Sequence, residues 1–287
     1  MDTEKIGGKL FVGQHSAKEM FKLWHVKNNY PHFILIAGET GSGRKSLAYL
    51  FAQMIDAQVA VVSDLAVSNV RSVIEAAYNI DAKMVYLFTD ADGMSLAAKN
   101  SLLKFTEEPP ENAYIIMTLQ AIENTLYTLQ SRSQHIVTAP YIFNELKQLC
   151  DEDRLCKIAT TPGMLLRLQA LPSSDVDSMI DTATKLVNYI DKVSLANALK
   201  SAASIKFKDS DKGIEFDLLI ATIRYILEFT AMQQIDNPDV EAIYRSACWL
   251  RALSQWQSKF SYSGVNKKAL YDQFIIEVRN RLGGAAV

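Results

Sequence analysis

Hydrophobic and polar positions follow two different periods in the first half of the chain. Up to about Pro140, short apolar runs are separated by longer segments whose apolar residues recur at every third or fourth position. The short runs predict β-strands at 33–37, 59–62, 84–88, 114–118 and 134–137. The longer segments predict helices at 16–26, 44–54, 70–78 and 95–106, the last with Ser95 as its N-cap. This alternation is typical of a parallel sheet covered by helices.

The strand pattern stops near Pro140, and helical periodicity continues alone. Residues 141–204 predict a series of short helices. Strongly amphipathic runs then predict three longer helices, at 214–234, 240–259 and 267–282. We therefore predict an α/β domain over 1–140, a small helical domain over 141–204 and an all-helical domain over 205–287.

Composition fits a folded protein and argues against several other classes. Hydrophobic residues make up 49% and charged residues 22% of the chain, and the net charge of −2 is not that of a polybasic nucleic-acid-binding arm. No apolar stretch approaches the length of a membrane span, and the first residues lack the layout of a signal peptide, so we expect a cytoplasmic protein without a membrane partner. Cys150, Cys156 and Cys248 lack paired ligand spacing, so neither disulfides nor a zinc site is expected.

A glycine-rich turn follows the predicted strand at 33–37. It contains Gly38, Gly41 and Gly43, and a predicted helix begins directly after it. Strand, glycine-rich turn and helix in this order form a phosphate-binding loop. In that loop the residue after the last glycine is the lysine that reaches the β- and γ-phosphates, and the next is the serine or threonine that binds Mg²⁺. Here those two positions hold Arg44 and Lys45.

Neither alignment of the turn restores the full motif. The planar guanidinium of Arg44 can meet a phosphate but does not replace a compact ammonium, and Lys45 has no lone pair for Mg²⁺. A shift by one residue aligns Lys45 and Ser46 with the Lys-Ser pair, but then Arg44 stands where a glycine is required. The pattern predicts either a degenerate phosphate-binding loop or an ordinary glycine-rich turn before a helix.

A second segment belongs to the same predicted site. The apolar run at 85–88 ends in Thr89 and Asp90, where nucleotide-hydrolysing proteins carry their Walker B carboxylates. Thr89 takes the place of the aspartate that holds Mg²⁺, and Asp90 that of the carboxylate that orients the attacking water. A neutral hydroxyl is a poor ligand for a hard divalent cation. We therefore expect no metal site, weak or lost binding of ATP and ADP, and lost hydrolysis.

Several motifs together resemble those of AAA+ clamp-loader subunits. The helix that follows the Walker B position contains Leu-Leu-Lys-x-x-Glu-Glu-Pro-Pro, a string highly specific to that family, at 102–110. The Val-Gly-Gln at 12–14 matches the family, and Ser-Arg-Ser at 131–133 is similar to its Ser-Arg-Cys motif. The stretch at 161–168 resembles the start of a clamp-loader lid, with Met164 near the place of a sensor arginine. The Cys₄ zinc module of the motor subunits is missing.

The resemblance implies a fold and a function. The fold is an AAA+ P-loop-type parallel sheet domain, followed by a small helical lid and a helical collar that joins subunits. The function is that of a nonhydrolysing subunit that assembles with motor ATPase and clamp-opening subunits to load a sliding clamp on primed DNA. An active AAA+ ATPase with an altered loop, and an AAA+-derived adaptor outside replication, are the alternatives.

The resemblance also implies a role for Arg132. In clamp loaders the arginine of the Ser-Arg motif projects into the ATP site of a neighbouring subunit as an arginine finger. The alternative is a surface arginine in a local ion pair.

A DNA contact is predicted at a different helix start. Ser68, Asn69 and Arg71 lie at the N-terminal end of the helix expected at 70–78, where backbone amides and a guanidinium could meet a DNA phosphate. A capped surface helix explains the same residues. Lys99 and Lys104, on the helix expected at 95–106, are ambiguous in the same way, with a solvated helix face as the default interpretation.

Overall fold

The computed structural model describes residues 4–6, 9–190, 192–204, 216–234, 239–260 and 266–283. The chain divides into two compact units, Met1–Asp151 with Thr161–Gly163, and Glu152–Thr160 with Met164–Val287. The three-domain boundaries at 140 and 204 stay predictions. The start of the third domain at 205 and the helix start at 214 lie outside the described residues.

The first unit contains a five-stranded parallel sheet. An antiparallel pair of short strands, β1 (Glu4–Ile6) and β2 (Lys9–Phe11), precedes it and was not predicted. The sheet consists of β3 (Phe33–Ala37), β4 (Gln58–Val62), β5 (Met84–Phe88), β6 (Ala113–Leu119) and β7 (Gln134–Val137). Their order is β4-β5-β6-β3-β7, with every neighbouring pair parallel. All five predicted strands are confirmed, with β4 and β6 beginning one residue earlier than expected.

Helices cover both faces of this sheet. They are α1 (His15–Lys27), α2 (Arg44–Met54), α3 (Val67–Ala77) and α4 (Leu96–Glu107), followed by the short α5 (Tyr127–Gln130) and α6 (Phe143–Lys147). Ser95 caps α4 as predicted, because its hydroxyl accepts a bond from the amide of Ala98 at 3.2 Å.

The central strand β3 is buried on both faces. Leu35 packs in one apolar cluster, which includes residues of α3 and α4, and Ile34 and Ile36 pack in the opposite cluster with residues of α1 and α2. Alternate side chains of a strand point to opposite faces, which explains this division. Because β3 and β5 are parallel and flank β6, the segments that follow them emerge at the same edge of the sheet.

The second unit is helical. Its helices are α7 (Asp153–Ile158), α8 (Pro162–Gln169, of which Pro162 and Gly163 belong to the first unit), α9 (Ser173–Tyr189), α10 (Leu195–Ser204), α11 (Phe216–Gln233), α12 (Val240–Phe260) and α13 (Lys267–Arg281). Helix α11 packs against α9 and α12, and α13 packs against α10 and α12. Trp249, Tyr271 and Phe274 are fully buried there. Among the described helices, none combines the length and apolar character needed to span a bilayer.

Candidate nucleotide site

The glycine-rich turn lies at the carboxyl edge of the sheet, between β3 and α2. Gly41 and Gly43 have φ angles of 83° and 90°, in the left-handed region that favours glycine. The turn is fixed from β7's side, because the Thr138 hydroxyl donates to the Ser42 hydroxyl at 3.0 Å. A glycine-rich turn thus leads from β3 into α2, an arrangement that both interpretations of the sequence require.

The two cations that replace the motif's lysine and hydroxyl residue both contact Asp90. The Arg44 guanidinium donates through Nη2 to Asp90 Oδ1 at 3.0 Å, and Lys45 Nζ lies 3.5 Å from Asp90 Oδ2. The Arg44 side chain is only 6% exposed, whereas Asp90 is 58% exposed. Arg44 Nη1 is buried without a hydrogen-bond partner in the described part of the chain. The carboxylate thus lies against the cations that would otherwise face a phosphate.

The backbone of Asp90 keeps its carboxylate in this place. Asp90 has a left-handed φ of 52°, and its amide donates to the Thr118 hydroxyl at 2.9 Å. Thr89, at the expected metal-binding position, is buried, with its amide bonded to the carbonyl of Val62 at 3.1 Å. Ser46 lies in the first turn of α2. The structure therefore brings Arg44, Lys45 and Asp90 together and places no carboxylate at position 89.

A second segment covers the tip of the turn. The amide of Gly163 donates to the carbonyl of Gly41 at 3.0 Å, and the Thr161 hydroxyl donates to the carbonyl of Thr40 at 3.3 Å. A Cβ atom on Gly163 would lie 2.5 Å from Gly41 Cα, so the two backbones approach as only glycines allow. The sequence did not predict this contact. The one sequence feature at this contact is the Pro162-Gly163 pair, within the stretch at 161–168 that resembles the start of a lid.

Two aromatic rings cover the turn where it enters α2. The Tyr141 hydroxyl donates to the carbonyl of Ser42 at 2.9 Å. A Cβ on Gly43 would lie 3.0 Å from the Phe11 ring and 3.2 Å from the Tyr141 oxygen. Burial raises the pKa of Tyr141 to about 12. A hydrogen bond with Gln14 lowers this pKa, and the negative charge of Glu145 raises it further. Tyr141 therefore remains a neutral donor at physiological pH.

Arg132 lies between α5 and β7 and makes two contacts. Its Nη2 donates to Glu107 Oε1 at 2.5 Å, and its Nη1 donates to the carbonyl of Thr128 at 2.6 Å. The side chain is 34% exposed. The local ion pair that the sequence left open as an alternative is therefore present, and the side chain of Arg132 is still partly exposed.

The residues of the predicted DNA contact lie in the first two turns of α3, which begins at Val67, three residues earlier than predicted. The Asp64 carboxylate accepts a bond from the amide of Ala66 at 3.0 Å, and Asn69 Nδ2 donates to the carbonyl of Asp64 at 2.8 Å. Ser68 and Arg71 are exposed. A carboxylate at this helix start disfavours a phosphate there, and the DNA contact stays a prediction.

The expectation of a solvated face was wrong for Lys99 on α4. Its side chain is 8% exposed, and its ammonium donates to the carbonyl of Asn124 at 2.7 Å. Burial lowers the pKa of Lys99, and the nearby Asp92 carboxylate opposes that shift. Asp92 in turn accepts bonds from the Gln120 amide and the Asn124 side chain. Lys99 therefore joins α4 to the segment after β6, whereas Lys104 is exposed.

Comparison with known proteins agrees with this geometry. A family described as "DNA polymerase III, delta subunit" matches residues 64–141. DNA polymerase III subunit tau of Bacillus subtilis is 22% identical over 227 residues, covering 67% of this chain and 40% of that protein. Subunit delta' of the same organism is 34% identical over 99 residues, covering 34% of this chain and 28% of that protein. The matches therefore span less than half the length of either relative.

A solved structure shares the fold. A DNA polymerase III gamma subunit-related protein of Thermotoga maritima superposes with a TM-score of 0.50 and 15% identity, covering 93% of this chain and 99% of that one. The parallel sheet, the glycine-rich turn after β3 and the helical C-terminal region together have the AAA+ fold. The sequence matches add that the chain is similar to clamp-loader-type subunits of DNA polymerase III.

Proposed function

We propose that the chain is a nonhydrolysing, delta prime-like subunit of a cytoplasmic clamp loader. It assembles with motor ATPase and clamp-opening subunits, loads the sliding clamp on primed DNA, and supplies Arg132 to a neighbour's ATP site. The delta' match, at 34% identity over 99 residues, supports the subunit type. The observation that carries the nonhydrolysing role is the pairing of both Arg44 and Lys45 with Asp90.

Hydrolysis by a P-loop protein needs four groups, each of which is replaced or engaged elsewhere at this site. A compact ammonium must reach the β- and γ-phosphates, a hydroxyl and a carboxylate must hold Mg²⁺, and a further group must position water. Lys45 stands where the hydroxyl would be and cannot coordinate a cation. Thr89 is uncharged and is therefore a poor ligand for Mg²⁺. The Asp90 carboxylate, which would position the attacking water, contacts two cations.

Closure of the turn supports weak or absent nucleotide binding. ATP or ADP would have to part the Gly41–Gly163 backbone contact at the tip of the turn. It would also have to displace the Asp90 carboxylate from Arg44, whose side chain is almost fully buried. Both changes cost free energy before any phosphate contact forms. We therefore propose that binding of ATP or ADP is weak or lost, and we expect no zinc.

The neighbour's site is where this chain acts in the proposal. Arginine keeps its charge at any physiological pH, and Arg132 is partly exposed beside the family's Ser-Arg string. An arginine finger stabilises the negative charge that develops on the transferred phosphoryl group, and is worth about 10³ to 10⁵ in rate. A chain that does not hydrolyse ATP in its own site can thus still determine the rate of ATP hydrolysis in a neighbouring subunit.

The decisive experiment is omission from a reconstituted complex. Motor and clamp-opening subunits of the same organism are combined with sliding clamp and primed DNA, with and without this chain, and clamp loading and ATP turnover are measured. We expect both activities to require the chain. Equal loading in its absence would overturn the proposal and favour an adaptor outside replication. ATP turnover by the chain alone would favour the altered ATPase.

A further inference from the structure

The last residue of α4 holds the proposed arginine finger. Glu107 Oε1 accepts a bond from Arg132 Nη2 at 2.5 Å, across 25 positions of sequence. The carbonyl of Thr128, in the single-turn helix α5, accepts from Arg132 Nη1 at 2.6 Å. Both terminal nitrogens of the guanidinium are therefore engaged, each by a group on a different helix.

Helix stability does not explain a glutamate at this position. The C-terminal end of a helix carries partial negative charge, so an anion there is unfavourable for α4 itself. The side chains of Glu107 and Arg132 are 47% and 34% exposed, and ion pairs at such exposure contribute little to stability. The contact is better explained by what it does to the conformation of Arg132.

Glu107 is itself held by the end of α4. Pro109 and Pro110 follow Glu108, and proline disfavours helical geometry in the residue before it, so α4 ends at Glu107. The amide of Glu108 still bonds to the carbonyl of Lys104 at 3.1 Å, and the carbonyl of Glu108 accepts from the Tyr78 hydroxyl at 3.3 Å. The carboxylate thus projects from a fixed helix end toward a long, otherwise flexible side chain.

We propose that Glu107 is a positioning residue that orients Arg132 toward the neighbour's ATP site. This inference rests on the proposed function, because it assigns a second residue to the same activity. A guanidinium has five N–H donors, and the two contacts use two of them, so the others stay available to phosphate oxygens. Fixing the side chain in advance lowers the entropy lost when the transition state forms.

The test is steady-state ATP turnover by the reconstituted complex with clamp and primed DNA. The variants are Glu107→Gln, Arg132→Ala and their combination, with Glu108→Gln as the control that removes the adjacent charge. Complexes are isolated by size exclusion, and turnover is measured per assembled complex, so that a loss of assembly is counted separately. We expect Glu107→Gln to lower kcat roughly tenfold with little change in KM for ATP. Glu108→Gln should have no effect.

Non-additivity distinguishes positioning from a merely structural role. If Glu107 acts through Arg132, the combined variant turns over no more slowly than Arg132→Ala alone. Wild-type turnover by Glu107→Gln, or a further loss in the combined variant, overturns the inference while leaving the proposed function intact. If Arg132→Ala leaves the ATP turnover of the complex at the wild-type rate, the arginine finger itself is overturned.

Discussion

Gly163 and Gly41 meet backbone to backbone over the degenerate phosphate-binding loop. The amide of Gly163 donates to the carbonyl of Gly41 at 3.0 Å, and a methyl group on Gly163 would lie 2.5 Å from Gly41 Cα. A side chain at position 163 would therefore separate the loop from the segment that covers it.

The first prediction concerns this contact. Gly163→Ala should destabilise the first unit by about 1–3 kcal/mol, because the added methyl group would clash with the backbone of Gly41. Gly93→Ala is the control, since a Cβ there meets no atom within 4 Å. Thermal unfolding, followed by circular dichroism, should show a lower midpoint for Gly163→Ala only. Equal midpoints for the two variants would show that the contact contributes nothing.

The second prediction concerns hydrolysis by the isolated chain. Purified protein should show no Mg²⁺-dependent ATP hydrolysis above background, because Arg44, Lys45 and Thr89 replace the groups that the reaction needs. Phosphate release is measured in parallel with Asp90→Asn, so that a contaminating ATPase can be recognised. Turnover that depends on Asp90 would refute the nonhydrolysing assignment.

The third prediction concerns Tyr141 and pH. Tyr141→Phe removes the bond to the carbonyl of Ser42 and should cost about 1 kcal/mol at pH 7. Burial raises the folded pKa of Tyr141 to about 12 from 10.0. The contribution of the neutral phenol is therefore complete below pH 10 and is lost as the pH rises toward 12. Urea denaturation of both proteins should give a constant difference up to pH 9, which shrinks above pH 10. A difference that grows above pH 10 would contradict the sign.

The fourth prediction concerns the proposed finger. Arg132→Ala should leave assembly intact and lower kcat for ATP in the reconstituted complex more than it raises KM. Arg132→Lys should recover little, since an ammonium does not match the geometry of a guanidinium. Arg154→Ala is the matched control, because Arg154 is also an ion-paired arginine, 37% exposed, and contacts Asp177. Equal kcat for the Arg132 and Arg154 variants would reduce the chain to a passive spacer.

The sheet could be predicted from sequence because burial left a strong pattern. The runs that form β3 and β5 are bounded as expected, since a strand covered on both faces is continuously apolar. The strands β1 and β2 have only three residues each, too short for any period to appear. Lys99 was misplaced because a charged residue is solvated by default, and its buried partners come from the segment after β6.

The residues of the candidate site could be named from the sequence, but the contacts between them could not. The motif logic identified Arg44 and Asp90 separately, yet their ion pair joins residues 46 positions apart. The same holds for Arg132 with Glu107, and for Gly41 with Gly163. Such contacts depend on how loops close in three dimensions, and a local pattern of polar and apolar positions carries no information about them.

The pairing of one carboxylate with two cations has an evolutionary consequence. A change of Arg44 to lysine would still leave Lys45 where a hydroxyl is needed. An aspartate at position 89 would still lack the hydroxyl that binds Mg²⁺ together with it. Each single step toward a working ATPase therefore brings no catalytic gain on which selection could act. With Asp90 paired to both Arg44 and Lys45, a working ATPase would require several simultaneous changes at this site.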